Sequence, residues 1–251
     1  MSNVVNVGGL TLGAGRPVLC VPLTGRNRAQ ILAQAAGLPA CTQMAEWRAD
    51  YDEEIPDAAA VCETGRLLQG VLRERGIPML FTCRSPKEGG YAELSDEAFG
   101  ALYREVLRSG FADLVDVEYG REAVRGEILR EAKRCAAVSI VSYHDTERTG
   151  AEEVLAEKLR AMEAAGGDVV KLAVTPREPA DVAVLLKVSA QAEGFLSVPR
   201  IVISMGEMGV PSRIFAETFG SAVTFASAGE ASAPGQLPAE RLAELLEEFR
   251  R

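Results

Sequence analysis

The stretch VVKLAV, residues 169–174, is a short apolar run interrupted by a single lysine. It lies between two longer stretches, 151–165 and 180–192, in which apolar residues recur every three or four positions, and the first of these ends at Gly166. A short apolar run set between two amphipathic ones reads as a strand joined to helices on either side. The same alternation runs the length of the chain. Strands are predicted at 18–22, 44–48, 78–83, 114–118, 137–142, 169–174, 200–205 and 222–226. Helices are predicted between them, among them 28–36, 58–75, 96–108, 151–165, 180–192 and 239–250, with Gly37, Gly76 and Gly110 also standing near helix ends. No Pro/Ser-rich linker or block of charge marks a boundary. Eight strand–helix units in 251 residues predict an α/β fold, a (β/α)8 TIM barrel that forms one domain over residues 1–251. A doubly wound open sheet is the weaker reading, since its GxGxxG fingerprint is absent after the first strand, where LTGRNRAQI (23–31) stands. The segment ahead of the first strand carries Gly8-Gly9 between apolar residues and predicts a short β-hairpin closing the barrel floor.

Composition narrows the function. The chain is 47% hydrophobic and 25% charged, ordinary for a soluble globular protein, and its formal charge of −9 offers no basic footprint for nucleic acid or an anionic membrane. No apolar run approaches the ~20 residues a bilayer span needs. The first residues lack a basic segment followed by a long apolar core, so no signal peptide is expected. Five cysteines without a CxxC pair, together with a single histidine, make a zinc site improbable and fit reduced thiols in the cytoplasm.

The polar residues gather where the predicted strands end. The second strand ends EWRAD, with Glu46 and Arg48; the third leads into FTCRSPKEGG, with Thr82, Arg84 and Glu88; the fourth ends DVEYG, with Asp116 and Glu118. The fifth ends with Ser142 and the only histidine, His144, and the loop after the seventh, MGEMGVPSR, carries Arg213. Alternate residues of a strand share a face, so each of these strand pairs points the same way, into the barrel's upper mouth. In this fold the carboxyl ends of the strands form the active-site face.

Lys171 stands inside VVKLAV, where an ammonium is costly to bury. A lysine snorkelling to the rim or salt-bridged to Glu118 is the structural reading of it; a nucleophilic amine that forms a Schiff base with a carbonyl is the chemical one. His144, one strand away, is suited to removing a proton α to the former carbonyl and passing it to a leaving group, with Glu88 or Glu118 fixing its tautomer. Arg48, Arg84 and Arg213 suit a carboxylate and its hydroxyls. Together these residues predict a lyase that works through a lysine imine on a small anionic carbonyl compound.

The motifs GGLTLGAGRPVLCVPLTG, EWRAD, FTCRSPKEGG, DVEYG, SYHDT, VVKLAV, MGEMGVPSR and ASAPGQLP, in this order over nearly the whole chain, resemble those of the type I 3-dehydroquinate dehydratases. The resemblance implies that Lys171 forms the Schiff base with the C3 ketone of 3-dehydroquinate. It implies that His144 removes the C2 proton and protonates the departing C1 hydroxyl, with Glu88 hydrogen-bonding nearby. Arg213 would bind the carboxylate, and Glu46, Arg48 and Arg84 the ring hydroxyls. Ser232 and Gln236 match the loop that closes over substrate, here SAGEASAPGQ (227–236). A homodimer, a place in the shikimate pathway and the absence of metal and organic cofactors are implied as well. Two other readings are a class I aldolase using a barrel lysine, with GEMGVPSR as a phosphate cradle, and a non-catalytic sensor of a pathway acid.

Overall fold

The computed structural model describes residues 4–229 and 232–250. A hairpin of β1 (Val5–Val7) and β2 (Leu10–Leu12) precedes eight parallel strands. These are β3 (Val18–Leu23), β4 (Met44–Arg48), β5 (Met79–Thr82), β6 (Leu114–Glu118), β7 (Val138–Asp145), β8 (Val169–Val174), β9 (Arg200–Ser204) and β10 (Val223–Phe225). They lie in the order β10-β3-β4-β5-β6-β7-β8-β9, and a single bridge between Arg200 and Ser221 joins the two ends of the sheet. Around it run α1 (Arg28–Ala36), α2 (Ala58–Arg73), α3 (Asp96–Ser109), α4 (Glu122–Arg134), α5 (Glu152–Ala164), α6 (Pro179–Ala192), the short α7 (Val210–Ile214) and α8 (Ala239–Glu248). This is the predicted (β/α)8 barrel with its hairpin. No helix among the described residues is long and apolar enough to cross a membrane.

Strand alternation produces two cores. Outward-facing residues such as Trp47, Phe81, Val115, Val141 and Leu172 pack under the helices in the larger cluster. Their inward neighbours Met44, Leu80, Leu114, Ile140, Val169 and Ile201 form a second cluster inside the barrel. Burying such side chains stabilises by about 1.5–3 kcal/mol each. Leu12 belongs to this inner cluster, with Val5, Val7 and Leu10 packed against it, so the hairpin does close the barrel at the start of its strands. Its two-residue turn needs positive φ at both positions, and Gly8 (φ 53°) and Gly9 (φ 82°) supply it.

Several predicted bounds coincide with the observed ones, including β4, β6, β8 and α1. The difference that matters is at β7, expected to end at residue 142, which runs on to Asp145 because it pairs with β8 from Ile140↔Val169 to Asp145↔Val174. His144 is therefore held inside a strand, opposite Ala173, rather than on the loop beyond it.

Candidate active site

The register of the sheet builds the site. Ser142 lies opposite Lys171, Glu46 beside Leu80, and Thr82 opposite both Arg48 and Asp116. The inward positions just above the apolar cluster thus carry Glu46, Thr82, Asp116, Ser142 and Lys171, all buried, and of these Glu46 and Lys171 line a cavity of about 300 Å³. Glu46, Arg48, Arg84, Glu88, His144, Lys171, Arg213, Ser232 and Gln236, the nine site residues expected from sequence, all line this cavity.

Lys171 Nζ is buried among carboxylates. Asp116 Oδ2 is 3.2 Å away and Glu46 Oε1 3.6 Å, while the Phe225 ring lies 4.7 Å from the ammonium. The lysine is ion-paired, though not to Glu118. Asp116 is held in turn by Arg84 Nη2 at 2.9 Å and by the Ser142 hydroxyl, which donates to Oδ1 at 2.6 Å. Burial works to raise the Asp116 carboxyl, but Arg84, Lys171 and these hydrogen bonds outweigh it and leave it below the usual carboxylate range. Glu46 accepts a hydrogen bond from Thr82 at 2.9 Å.

His144 is oriented by Glu88 and not by Glu118. Glu88 Oε2 accepts the backbone N–H of His144 at 3.1 Å and lies 2.8 Å from Nδ1. An oxygen already accepting one N–H suits a second, which places the imidazole proton on Nδ1 and leaves the Nε2 lone pair for the cavity. Burial, and then the charges of Arg84, Lys171 and Arg48, hold the imidazole well below its usual range, so it is neutral at neutral pH. Burial also pushes the Glu88 carboxyl up to about 8, against the pull of Arg84 and with the repulsion of Glu118 and Asp116. The EGG sequence explains how Glu88 arrives there. Pro86–Glu88 form a short 3-10 turn ended by Gly89 at φ 82°, and a Cβ on Gly90 would lie 2.0 Å from the Arg84 carbonyl oxygen.

The arginines divide into two kinds. Arg48 makes two 2.8 Å hydrogen bonds to Asp50, a partner that follows it by two residues in EWRAD and that sequence reasoning passed over. Arg84 is engaged by Asp116, by Ser142 at 3.0 Å, and by Glu88 and Glu118 at 3.3 Å each. Glu118 is turned away from the cavity, accepting the Ser85 N–H at 2.7 Å and pairing with Arg121 at 3.4 Å. Arg213 has no carboxylate partner among the described residues. It donates to the Phe225 and Pro234 carbonyls at 3.5 and 3.3 Å, its Nε is buried without a partner, and burial lowers it to about 10.

The loop after β10 completes the cavity. The Ser232 N–H donates to Gln236 Oε1 at 2.9 Å, and the Pro234 carbonyl accepts the Gly206 N–H at 3.1 Å, tying this loop to the one after β9. Glu230 and Ala231, within the expected lid, lie outside the described residues. Among the described residues no group of three His, Cys, Asp or Glu side chains is placed to hold a metal ion.

Comparison with known proteins places this geometry. Residues 19–250 match the family model "Type I 3-dehydroquinase". The 3-dehydroquinate dehydratase of Klebsiella pneumoniae subsp. pneumoniae is 40% identical over 250 residues, 98% of this chain and 99% of that protein. That of Bacillus licheniformis is 40% identical over 249 residues, 98% and 97% of the two chains. Among solved structures, the type I 3-dehydroquinate dehydratase of Clostridium difficile, with covalently modified comenic acid, superposes with a TM-score of 0.95 at 36% identity, covering 99% of this chain and 98% of its own. The 3-dehydroquinate dehydratase of Geobacillus kaustophilus gives 0.94 at 33% identity, covering 99% and 98%. The chain belongs to the type I 3-dehydroquinase family and is an enzyme of that class, a hydro-lyase.

Proposed function

We propose that the protein converts 3-dehydroquinate to 3-dehydroshikimate by syn elimination of water through an imine on Lys171, with His144 as general base and then general acid. The observation that carries the reading is the pairing of one neutral imidazole, tied to Glu88, with one buried amine a single inward position below it on the neighbouring strand.

The steps follow from the groups present. Nζ passes a proton to His144 and attacks the C3 carbonyl; His144 returns that proton to the carbinolamine oxygen, which leaves as water, and an iminium remains. The iminium draws electrons from C2, so His144 Nε2 removes the C2 proton and the pair forms an enamine. The enamine pair then expels the C1 hydroxyl, which takes the proton from His144 and departs as water. A water molecule hydrolyses the conjugated iminium, returning the amine and releasing the unsaturated ketone. Arg213, the cavity cation without a carboxylate partner among the described residues, receives the substrate carboxylate, which gives its buried charge the partner it lacks. Glu46, Arg48 and Arg84 bind the ring hydroxyls, and Ser232 and Gln236 close the cavity. The covalently modified comenic acid of the Clostridium difficile relative supports covalent chemistry in this barrel. To the same reading belong a single domain over residues 1–251, a homodimer, no metal or organic cofactor, and a cytoplasmic place in the shikimate pathway.

Borohydride reduction in the presence of 3-dehydroquinate, followed by intact mass and peptide mapping, tests the mechanism. The expected result is an adduct on Lys171, with the absorbance of a conjugated enone growing in the unreduced control. Retro-aldol products, or substrate bound without any adduct, would overturn it.

A further inference from the structure

We propose that Asp116 is the counter-ion of the Lys171 iminium, a positioning residue that keeps the imine nitrogen positively charged through the elimination. The proposal rests on the imine reading above and adds a residue to it. Two carboxylates flank Nζ, and they are held differently. Glu46, the farther at 3.6 Å, has one neutral donor, the Thr82 hydroxyl. Asp116, at 3.2 Å, is 1% exposed and fixed at both oxygens, by Arg84 on Oδ2 and by Ser142 on Oδ1. Its backbone is clamped too, since the buried Tyr103 hydroxyl donates to the Asp116 carbonyl at 2.5 Å. A carboxylate with three fixed cationic or hydroxyl partners is a poor proton acceptor and a good fixed anion.

The chemistry calls for such an anion. When the amine becomes an iminium, Nζ exchanges two of its three ammonium protons for a double bond to carbon and keeps one N–H and the positive charge. That charge makes C2 acidic; a neutral imine is a far weaker electron sink. A preorganised anion about 3 Å from the nitrogen, in a buried site, stabilises the charged form without reorganising as it appears. Asp116 lies opposite Thr82 and Ile140 in the register, on the strand between β5 and β7, so its support comes from across the sheet and not from substrate.

The test compares two reductants on the enzyme with 3-dehydroquinate: cyanoborohydride, which reduces the protonated iminium, and borohydride, which reduces both forms. In Asp116→Asn the ratio of cyanoborohydride to borohydride adduct on Lys171 is expected to fall about tenfold, the equivalent of one pKa unit. With it kcat should fall about 10²–10³-fold, the scale for removing one preorganised electrostatic partner, while KM stays near wild type. Asp116→Glu should restore much of the ratio, and Glu46→Gln, which removes the farther carboxylate, should lower it by a smaller factor than Asp116→Asn does. A wild-type ratio in folded Asp116→Asn, or a larger fall in Glu46→Gln, would overturn the proposal.

If Asp116→Asn does not fold, the wild-type enzyme carries the test. Its ratio of cyanoborohydride to borohydride adduct should hold steady from pH 7 to about 9, because the fixed carboxylate keeps the imine protonated. A decline over that range would overturn the proposal. The charged and titratable groups around the pair are Glu46, Arg84, Glu88, Glu118, His144 and Cys20; burial raises the Cys20 thiol well above its usual range and lowers His144 well below its own. Failure of both reductants on wild type would instead remove the imine itself.

Discussion

Along five neighbouring strands the inward positions come in pairs two residues apart: Met44 and Glu46, Leu80 and Thr82, Leu114 and Asp116, Ile140 and Ser142, Val169 and Lys171. All ten are at most 4% exposed. The first of each pair belongs to a buried apolar layer that the hairpin closes from below, and the second belongs to a network of ion pairs and hydroxyls that opens into the cavity. One step of strand alternation separates a region that holds the barrel together from one that is costly to bury and holds the chemistry. The upper region is tolerated because nearly every charge has a fixed partner, and Arg213 is the exception among the described cations of the cavity.

Substitutions in the two regions should therefore separate rate from stability. In the upper region, Arg213→Gln removes the unpaired cation. We expect kcat/KM for 3-dehydroquinate to fall by about 30-fold or more, as for loss of about 2–5 kcal/mol from a buried charge pair. The melting temperature should hold or rise, because a desolvated guanidinium without a carboxylate has been removed. Thermal unfolding beside steady-state kinetics checks both, and a large loss of stability with normal turnover would erase the contrast. In the lower region, Ile140→Ala should cost about 2–5 kcal/mol in denaturant unfolding and leave turnover per folded molecule unchanged.

A smaller effect is expected with pH. The Glu88 carboxyl is raised to about 8 in the folded protein, so folding favours its protonated form. Its stabilising contribution is complete below the ordinary glutamate range near 4.3 and is lost as pH rises through about 8. The stability of wild type relative to Glu88→Gln, which mimics the protonated acid, should shrink over that interval. His144 acts with the opposite sign, since its lowered value favours the neutral ring and its contribution is lost as pH falls below its ordinary range. The two are separated by measuring each variant against wild type. A difference between wild type and Glu88→Gln that stays flat with pH would contradict the burial argument.

Much of this division is legible in the sequence. The apolar runs locate the strands, and period-two alternation puts Glu46 with Arg48 and Ser142 with His144 on one face before any coordinates are known. What periodicity does not carry is partnership. Asp116 and Glu118 share a face by spacing, yet Glu118 reaches sideways to Ser85 and Arg121 while Asp116 meets Lys171, a distinction set by the loop after β5. Asp50 had a sequence signal in its place two residues after Arg48, but only the 3-10 turn that follows β4 shows the two forming a bidentate pair. The length of β7 depends on cross-strand pairing with β8, a non-local term, and it is that pairing which fixes His144 in place.

The most direct measurement takes His144→Ala, follows the enone absorbance with 3-dehydroquinate, and analyses the borohydride-trapped protein by mass. The expected result is a folded protein that still yields an adduct on Lys171 while turnover falls by about 10²–10⁴-fold, the range for loss of a general acid–base group. Turnover close to wild type from that variant would contradict the assignment of the lone histidine as the proton carrier.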